Sequence, residues 1–329
     1  MRAVVLVGGF GTRLRPLTSS IPKPMLPVVH VPIIERLVAN LARGGVTEVV
    51  LGLGFRPEPF VEAFPDAMCA GVALQYAVEP EPLDTAGAIR FAADAGGIDD
   101  TFVVANGDIL TDMDVGTLVA FHRRRGAETT IHLIPVDDPS AFGVVAVDDD
   151  GRVERFVEKP PPGTAPSNLI NAGTYVLEAS VLERIPAMQK TSIERVTFPA
   201  IAAEGGLYAL ATDDAWIDTG RPELYLQANL DQLDRQPGAG VHPAANLSAD
   251  ATVERAVIGP GSTVARGAFV GGSVLLPGAV VGAGAVVRDS VVMGRIGADA
   301  VVEHCVIGAE GVVAAGEHVT GEHRPAPAA

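Results

Sequence analysis

The residues with the clearest chemistry lie in a glycine-rich loop near the start of the chain, residues 8–24, which we call the phosphate loop. An apolar run, residues 3–7, precedes it and is typical of a buried strand. The loop combines glycines, a threonine and cations: Gly8, Gly9, Gly11, Thr12, Arg13, Arg15 and Lys23. Glycines let backbone N–H groups approach phosphate oxygens, and cations neutralise the phosphate charge. The loop is therefore predicted to bind a polyphosphate.

This loop differs from both common phosphate motifs. The chain contains no G-x-x-x-x-G-K-[ST] run, so it has no Walker A loop. The dinucleotide fingerprint G-x-G-x-x-G, read from Gly9, would need a glycine where Leu14 stands. The pattern indicates another class of nucleotide site.

Two aspartates follow strand-like runs. Asp108 ends Asn106-Gly107-Asp108, directly after the apolar run 102–105, and Asp218 lies within the segment 216–220. Mg²⁺ prefers one or two carboxylates together with water and phosphate oxygens. Either aspartate alone is also typical of a helix cap or a turn.

The motif G-G-F-G-T-R-L-R-P-L-T, followed by P-K-P, resembles the signature of the sugar-nucleotide pyrophosphorylases, which are nucleotidyltransferases. The resemblance extends over nearly the whole chain. It implies transfer of a nucleotidyl group from an NTP to a hexose-1-phosphate, with release of pyrophosphate. It also implies Arg13 and Lys23 as catalytic residues, and Mg²⁺ as the cofactor, held by Asp108 and Asp218.

The segment 79–87 resembles the base-reading segment of the guanylyltransferases within that family. One carboxylate, Glu79, can accept the adjacent N1–H and N2–H donors of guanine, whereas uracil and thymine present only one donor between two acceptors. Asp84 stands where the family usually has glycine. The nucleotide-binding residues that the resemblance implies are Leu6, Gly8, Gly9, Gly11, Thr12, Glu79, Pro82, Thr85, Ala86, Gly87, Asn106 and Gly107.

Three further motifs match the family's sugar-phosphate pocket: Ala141-Phe142-Gly143, Glu158-Lys159-Pro160 and Asn171-Ala172-Gly173. A lysine reaches a phosphate, and a glutamate accepts hydrogen bonds from sugar hydroxyls. The implied sugar-phosphate residues are Gly143, Glu158, Lys159, Asn171 and Gly173. The segment 192–199 also resembles a guanylyltransferase segment, but the sequence alone gives it no chemical role.

Composition narrows the class of protein. The chain has 329 residues, 48% hydrophobic and 19% charged, with a formal net charge of −16. Such acidity excludes general nucleic-acid binding, and no apolar run reaches the roughly 18 residues of a membrane span. The N-terminus lacks a signal-peptide layout, and two distant cysteines, Cys69 and Cys305, indicate neither a disulfide framework nor a metal cluster. We expect a cytoplasmic protein.

Up to about residue 230, strand-like and helix-like runs alternate. Strands are predicted at 3–7, 48–53, 74–78, 101–105, 129–135 and 144–147, and helices at 32–42, 85–95 and 115–124. This alternation predicts an α/β, Rossmann-like domain with a mostly parallel sheet and helices on both faces. Ligands of such sheets bind beyond the carboxyl ends of the strands, where the phosphate loop is placed.

After residue 240 the pattern changes to a repeat. Similar phrases at 256–258, 273–275, 290–292 and 305–307 are spaced by 17, 17 and 15 residues, and aliphatic residues recur every six positions between them. This period predicts a left-handed parallel β-helix of about four coils. The expected organisation is a catalytic domain at 1–230, a linker at 231–240, the β-helix at 241–321 and a tail at 322–329.

The resemblance favours GTP and mannose-1-phosphate as substrates. Alternatives are a thymidylyl- or uridylyltransferase acting on glucose-1-phosphate, and a non-catalytic regulatory subunit that binds NDP-sugar. An acyltransferase carried by the β-helix is disfavoured, because about four coils are too few. The β-helix has an open end and apolar faces that must be covered, so we expect a homo-oligomer, most simply a dimer.

Overall fold

The computed structural model describes residues 1–9, 11–54 and 57–326. The chain divides into two compact units, each discontinuous in sequence. The first unit consists of Met1–Gly9 and Ile34–Trp216, and the second contains the described residues of 10–33 and 217–329.

The helices and strands follow the predicted alternation, with additional strands and three additional α-helices. The strands up to residue 218 are β1 Arg2–Leu6, β2 Pro27–Val28, β3 Val31–Pro32, β4 Glu48–Leu53, β5 Met68–Cys69, β6 Val72–Val78, β7 Phe102–Asn106, β8 Ile109–Thr111, β9 Thr129–Pro135, β10 Gly143–Val147, β11 Val153–Glu158, β12 Leu169–Leu177, β13 Leu207–Ala211 and β14 Trp216–Asp218. The α-helices are α1 Ile33–Arg43, α2 Glu58–Ala63, α3 Asp84–Ala95, α4 Val115–Arg125, α5 Phe198–Ala203 and α6 Pro222–Arg235. A π-helical turn, Ile193–Thr197, precedes α5.

The first unit is built on one ten-stranded mixed sheet. Its main path is β11-β10-β12-β7-β1-β4-β6-β5, and β9 pairs with β12 and β13. The strands β7, β1, β4 and β6 pair in parallel, whereas β10, β11 and β12 pair antiparallel. Only residues 148–152 join β10 to β11, and a parallel connection needs a dozen residues or more. The predicted Rossmann-like α/β class is confirmed, but the sheet is mixed rather than mostly parallel as predicted, because β12 pairs antiparallel with β7, β9 and β10.

The parallel strands end at one edge of the sheet. Leu6 of β1 stands opposite Gly52 of β4 and Asn106 of β7, and Leu53 of β4 stands opposite Val78 of β6. The start of the phosphate loop therefore lies beside the ends of β4 and β7, as the rule for parallel sheets predicts.

A buried histidine on β9 gives this unit a pH-dependent stability. His132 is fully buried, its Nε2 lies 2.8 Å from Thr212 Oγ1, and its Nδ1 has no partner among the described residues. Burial lowers the pKa of His132 to about 4, and Asp214 opposes that shift. Between that value and the unfolded pKa of about 6.5, the unfolded chain binds more protons, so stability rises with pH.

We expect the free energy of unfolding to increase by about 3 kcal/mol between pH 4 and pH 7 because of this one group. Urea titrations of the native protein and of His132→Gln across this range measure the effect. The variant should show a flatter pH profile, and an equal slope in both proteins would contradict the assignment.

The second unit contains the hexapeptide repeat. Its strands are β15 Asn246–Leu247, β16 Thr252–Glu254, β17 Val257–Ile258, β18 Thr263–Val264, β19 Phe269–Gly271, β20 Val274–Leu275, β21 Val280–Val281, β22 Val286–Arg288, β23 Val291–Val292, β24 Arg295–Ile296, β25 Val301–Glu303, β26 Val306–Ile307, β27 Val312–Val313, β28 His318–Thr320 and β29 His323–Arg324. They form three parallel sheets of five strands. The six-residue series is buried: Ile258, Val264, Val270, Leu275, Val281 and Val287. The predicted left-handed β-helix is confirmed.

The β-helix has five coils, and the prediction of about four was wrong. In the fifth coil the strand β29 pairs with β26, and His323 stands opposite Val306. His323 and Arg324 thus occupy positions that are aliphatic in the preceding coils. Because these two positions are polar, the last repeat does not match the aliphatic pattern by which the other coils are recognised in the sequence. The coil reaches into the segment predicted as a tail, whose residues 327–329 lie outside the described part of the chain.

Helix α6 connects to the β-helix and also binds the phosphate loop's C-terminal flank. It continues to Arg235, so the first five residues of the predicted linker are helical. The Tyr225 hydroxyl donates to the Pro27 carbonyl, and the Val29 amide donates to Asn229 Oδ1 over 3.0 Å. Tyr225 and Asn229 are fully buried. These bonds hold residues 27–29 on the helix.

Candidate active site

The cationic residues of the phosphate loop meet an aspartate within the second unit. Lys23 is 8% exposed, and its Nζ lies 3.1 Å from Asp218 Oδ1. The same oxygen accepts the Gly220 amide at 2.8 Å. A Cβ built on Gly220 would stand 3.0 Å from Arg13 Nη2, so the guanidinium lies against this turn. The structure therefore brings the two predicted catalytic residues to the 216–220 motif.

The turn at residues 11–13 of the phosphate loop is exposed to solvent. Thr12 and Arg13 are exposed, and Gly11 adopts a left-handed conformation with φ 56°. The Gly11 carbonyl accepts the Thr18 hydroxyl at 2.7 Å, which fixes the turn. Arg13 is thus presented on a defined turn with its charge accessible to an anion.

In the first unit, Glu79 follows β6 and faces the start of the phosphate loop. Its side chain is 8% exposed, and Oε2 accepts the Leu83 amide at 2.9 Å. Oε1 lies 3.9 Å from the Cβ positions built on Gly8 and on Gly54. These glycines leave room in front of a buried carboxylate, which is the arrangement that the guanine-reading hypothesis requires.

Residues predicted for the sugar pocket meet residues predicted for the nucleotide at a bulge in β12. The register of β12 against β9 shifts between Asn171 and Tyr175, and Gly173 within the bulge has φ +77°. A Cβ on Gly173 would stand 2.6 Å from Asn106 Nδ2. Only glycine permits both the backbone conformation and this approach.

The remaining sugar-pocket motifs also adjoin one another. Gly143 of β10 stands opposite Glu158 of β11, and the Lys159 amide donates to the Phe142 carbonyl at 2.9 Å. Lys159 is 60% exposed, with Nζ 3.5 Å from Glu158 Oε1. The cation is therefore accessible, while Glu158 is half-buried next to it.

Two aromatic residues that the sequence did not single out support these motifs. Trp216 Nε1 donates to the Ala172 carbonyl at 2.9 Å, and its ring meets Phe142 edge-on with centroids 5.8 Å apart. Asn171 Nδ2 donates to the hydroxyl of the buried Tyr175 at 3.0 Å, and the Gly173 amide donates to Asn171 Oδ1. Burial, followed by the nearby carboxylate of Glu194, raises the pKa of Tyr175, so the phenol stays neutral.

A family profile described as nucleotidyl transferase matches residues 2–235. The chain belongs to the nucleotidyl transferase family. A second profile, described as a GlmU-like C-terminal hexapeptide, matches residues 241–326. The resemblance drawn from the phosphate loop is confirmed, and the protein is a nucleotidyltransferase enzyme.

Among curated relatives, this nucleotidyltransferase is 42% identical over 269 residues to the probable mannose-1-phosphate guanylyltransferase 1 of Oryza sativa, covering 79% of this chain and 74% of that protein. It is 40% identical to the mannose-1-phosphate guanylyltransferase of Mycobacterium tuberculosis, covering 79% and 77%. Among solved structures, HddC from Yersinia pseudotuberculosis complexed with GMP-PN is similar, with a TM-score of 0.60 and 29% identity over 70% of this chain and 99% of that chain.

The segment 192–199 of the nucleotidyltransferase has a structural role at the start of α3. The Thr191 carbonyl accepts the Ala86 and Gly87 amides at 2.9 and 3.2 Å. The Thr85 hydroxyl donates to Glu194 Oε2 at 2.7 Å and accepts the Ile193 amide at 2.8 Å. The Thr85 hydroxyl and the Ala86 and Gly87 amides thus already have hydrogen-bond partners within the protein. The assignment of these three residues to nucleotide binding stays a prediction.

Asp84 explains why the family favours glycine at its position. Its φ is +60°, a left-handed conformation, and its Oδ1 accepts the Thr85 amide at 2.8 Å. Aspartate adopts the left-handed backbone conformation more readily than most residues, because its short side chain can hydrogen-bond to the neighbouring backbone. The departure from the family pattern therefore preserves the backbone turn.

We expect Asp84→Gly to fold with a stability within about 1 kcal/mol of the native protein, because glycine adopts the same φ without strain. Asp84→Val should lose about 1–2 kcal/mol more, since a β-branched residue is disfavoured there. Chemical denaturation of both variants provides the measurement. Equal stabilities would show that the left-handed turn does not constrain this position.

The magnesium prediction assigns one carboxylate to each unit, and it stays a prediction. Asp108 follows β7 in the first unit, and Asp218 ends β14 in the second. Both are half-buried. Within the described ranges, no three His, Cys, Asp or Glu side chains cluster as a metal site. A phosphate-bound Mg²⁺ needs only one or two carboxylates, so hard oxygen donors of this kind fit the ion.

Proposed function

We propose that this nucleotidyltransferase transfers the guanylyl group of GTP to mannose-1-phosphate, forming GDP-mannose and pyrophosphate. The observation that carries the base assignment is the buried Glu79 carboxylate, which faces Gly8 and Gly54 at the sheet edge. The named activity of relatives at about 40% identity supports the same substrates, and the GMP-PN complex of HddC supports nucleotide binding.

In the proposed reaction an oxygen of the mannose-1-phosphate attacks the α-phosphorus of GTP. The new phosphorus–oxygen bond forms as the bond to the β-phosphate breaks, and pyrophosphate leaves. Arg13 stabilises the charge that develops on the triphosphate, and Lys23 assists it. Lys159 anchors the sugar phosphate, and Glu158 accepts hydrogen bonds from the sugar hydroxyls. Such catalysis depends on positioning and charge neutralisation and needs no covalent intermediate.

Mg²⁺ is the cofactor that we propose, with Asp108 and Asp218 as its protein ligands. When bound, the ion would neutralise negative charge on the phosphates. Asp218 also holds Lys23 in place on its own, because its Oδ1 accepts hydrogen bonds from both Lys23 Nζ and the Gly220 amide.

A grid of substrates tests the function. Pyrophosphate release is measured for GTP, ATP, UTP and dTTP, each with mannose-1-phosphate, glucose-1-phosphate and galactose-1-phosphate. We expect the highest kcat/KM for GTP with mannose-1-phosphate. A preference for dTTP or UTP with glucose-1-phosphate would identify a sibling transferase, and binding of GDP-mannose without turnover would identify a regulatory subunit.

We also propose that the protein is a homo-oligomer, most simply a dimer, that uses the β-helix. Exposed apolar side chains on this domain support the proposal, since Val241, Leu247 and Val312 are 41%, 36% and 57% exposed. Light scattering at micromolar concentration should give twice the 33.9 kDa chain mass or more. A monomer at these concentrations would refute the assembly.

The cytoplasmic location remains a proposal. Cys69 and Cys305 are both buried and unbridged, as expected for a reducing compartment. Among the described residues, no helix is both long and apolar enough to cross a membrane. Cell fractionation with compartment markers tests the location.

A further inference from the structure

One corner of the β-helix differs from its equivalents in a way that the repeat does not explain. In the sheet β17-β20-β23-β26-β29, the positions that follow the first four strands are Gly259, Leu276, Met293 and Gly308, one in each successive coil. In each case its amide donates to a carbonyl of the next coil at 2.7 Å. Leu276 and Met293 are only 2% and 9% exposed, so this corner accommodates large apolar side chains.

At Gly308 the place of such a side chain is taken by Pro16 of the phosphate loop. A Cβ built on Gly308 would stand 2.7 Å from Pro16 Cβ, 2.9 Å from its Cγ and 3.2 Å from its carbonyl oxygen. Pro16 is buried. For Gly259 the nearest atoms are the β-helix's own backbone, with Leu275 O and Pro277 N both at 2.9 Å. The glycine at 308 is therefore required by the phosphate loop, whereas the one at 259 is required by the coil.

A second contact involves the fifth coil. His323 Nδ1 lies 3.3 Å from the Arg15 carbonyl oxygen, so an Nδ1–H donates to the residue that precedes Pro16. Both contacts fall within three residues of Arg13. Towards its C-terminal end the loop is held by Lys23 on Asp218. The part of the loop that carries Arg13 thus rests on the β-helix.

We propose that Gly308 and His323 are positioning residues for nucleotidyl transfer, and that the last coils of the β-helix set the place of Arg13. The effect on catalysis rests on the proposed function. The physical reason is that transition-state stabilisation depends steeply on geometry, and a displacement of about 1 Å can cost about 100-fold in rate. The β-helix is then a part of the catalytic assembly in addition to any role in oligomers.

The test compares Gly308→Ala with Gly259→Ala in the full-length protein. Both variants add one methyl group at the same corner, but only the first pushes on Pro16. We expect Gly308→Ala to lower kcat on the order of 10-fold or more, with a smaller change in the KM for GTP. Gly259→Ala should keep the native kcat and lose thermal stability. Equal kcat values for the two variants would overturn the proposal.

Hydrogen exchange provides a readout that does not depend on turnover. Amides in residues 11–24 should exchange faster in Gly308→Ala than in the native protein, and at the native rate in Gly259→Ala. If the native protein fails to turn over GTP and mannose-1-phosphate, the proposed function falls, while exchange still decides whether the β-helix positions the loop. Unchanged exchange in Gly308→Ala refutes that positioning.

Two further variants guard against a folding failure of Gly308→Ala. His323 is exposed, so its replacement should leave the coil intact. We expect His323→Leu, which removes the donor, to lower kcat about 2- to 5-fold, and His323→Gln, which keeps a donor, to lower it less. In a double-mutant cycle, Pro16→Gly should reduce the cost of Gly308→Ala, because it removes the overlapping ring. Strict additivity of the two changes would contradict the proposed contact.

Discussion

Arg13→Ala is expected to lower kcat on the order of 100- to 1,000-fold, with a much smaller change in the KM for GTP. The guanidinium lies on an exposed turn against Gly220, so its charge is accessible to an anion. An interaction that strengthens as charge develops in the transition state affects kcat more than ground-state binding. Steady-state measurements of pyrophosphate release give both constants.

Arg13→Lys and Arg255→Ala are the matched comparisons for this result. Lysine keeps the charge without the planar fork of donors, so it should recover part of the lost rate. Arg255 belongs to the same unit, pairs with Asp234 at 2.7 Å and is 54% exposed, so its removal changes the net charge equally. Arg255→Ala should retain native kinetics. If Arg13→Ala raises only the KM for GTP, its role is uniform binding.

Glu79→Gln is expected to lower the preference for GTP over dTTP or UTP by about 10- to 150-fold, because a pair of charge-assisted hydrogen bonds is worth about 1.5–3 kcal/mol. A glutamine can still accept the Leu83 amide through its carbonyl, so the turn after β6 should be kept. Its amide group would then face the guanine donors with donors of its own. The ratio of kcat/KM values for the two nucleotides measures the change.

Glu81→Gln is the control for this substitution. Glu81 lies in the same segment but is exposed, whereas Glu79 is buried. Its replacement removes the same charge and should leave the nucleotide preference unchanged. A preference ratio that stays constant in Glu79→Gln would mean that guanine is recognised by other residues.

The geometry also gives a structural role to the turn at residues 191–194. The Thr191 carbonyl accepts hydrogen bonds from amides at the start of α3, and the Glu194 carboxylate accepts one from the Thr85 hydroxyl. These bonds fix the helix that follows the base-reading segment. They assign a positioning role to a segment whose residue types alone suggested no chemistry.

The sequence by itself determined the family, both fold classes and most elements of the first unit. Apolar runs of the parallel strands are continuous because both faces of the sheet are covered, so they stand out in a sequence. The start of the phosphate loop at Gly8 lies beside Glu79, and Gly107 donates its amide to the Leu6 carbonyl that precedes the loop, because parallel strands end at one edge. The β-helix was visible because each coil must place an aliphatic residue inward every six positions.

Tertiary structure decided what local patterns do not encode. The fifth coil was missed because His323 and Arg324 interrupt the aliphatic phrase, although backbone pairing continues through them. The contacts by which Tyr175 and Trp216 support the sugar-pocket motifs depend on a bulge in β12 and on an edge-on ring contact. The glycine at 308 is explained only by Pro16, which lies nearly three hundred residues away in the chain. Such contacts depend on which residues distant in sequence pack against each other, and the residue pattern of a single segment does not specify that packing.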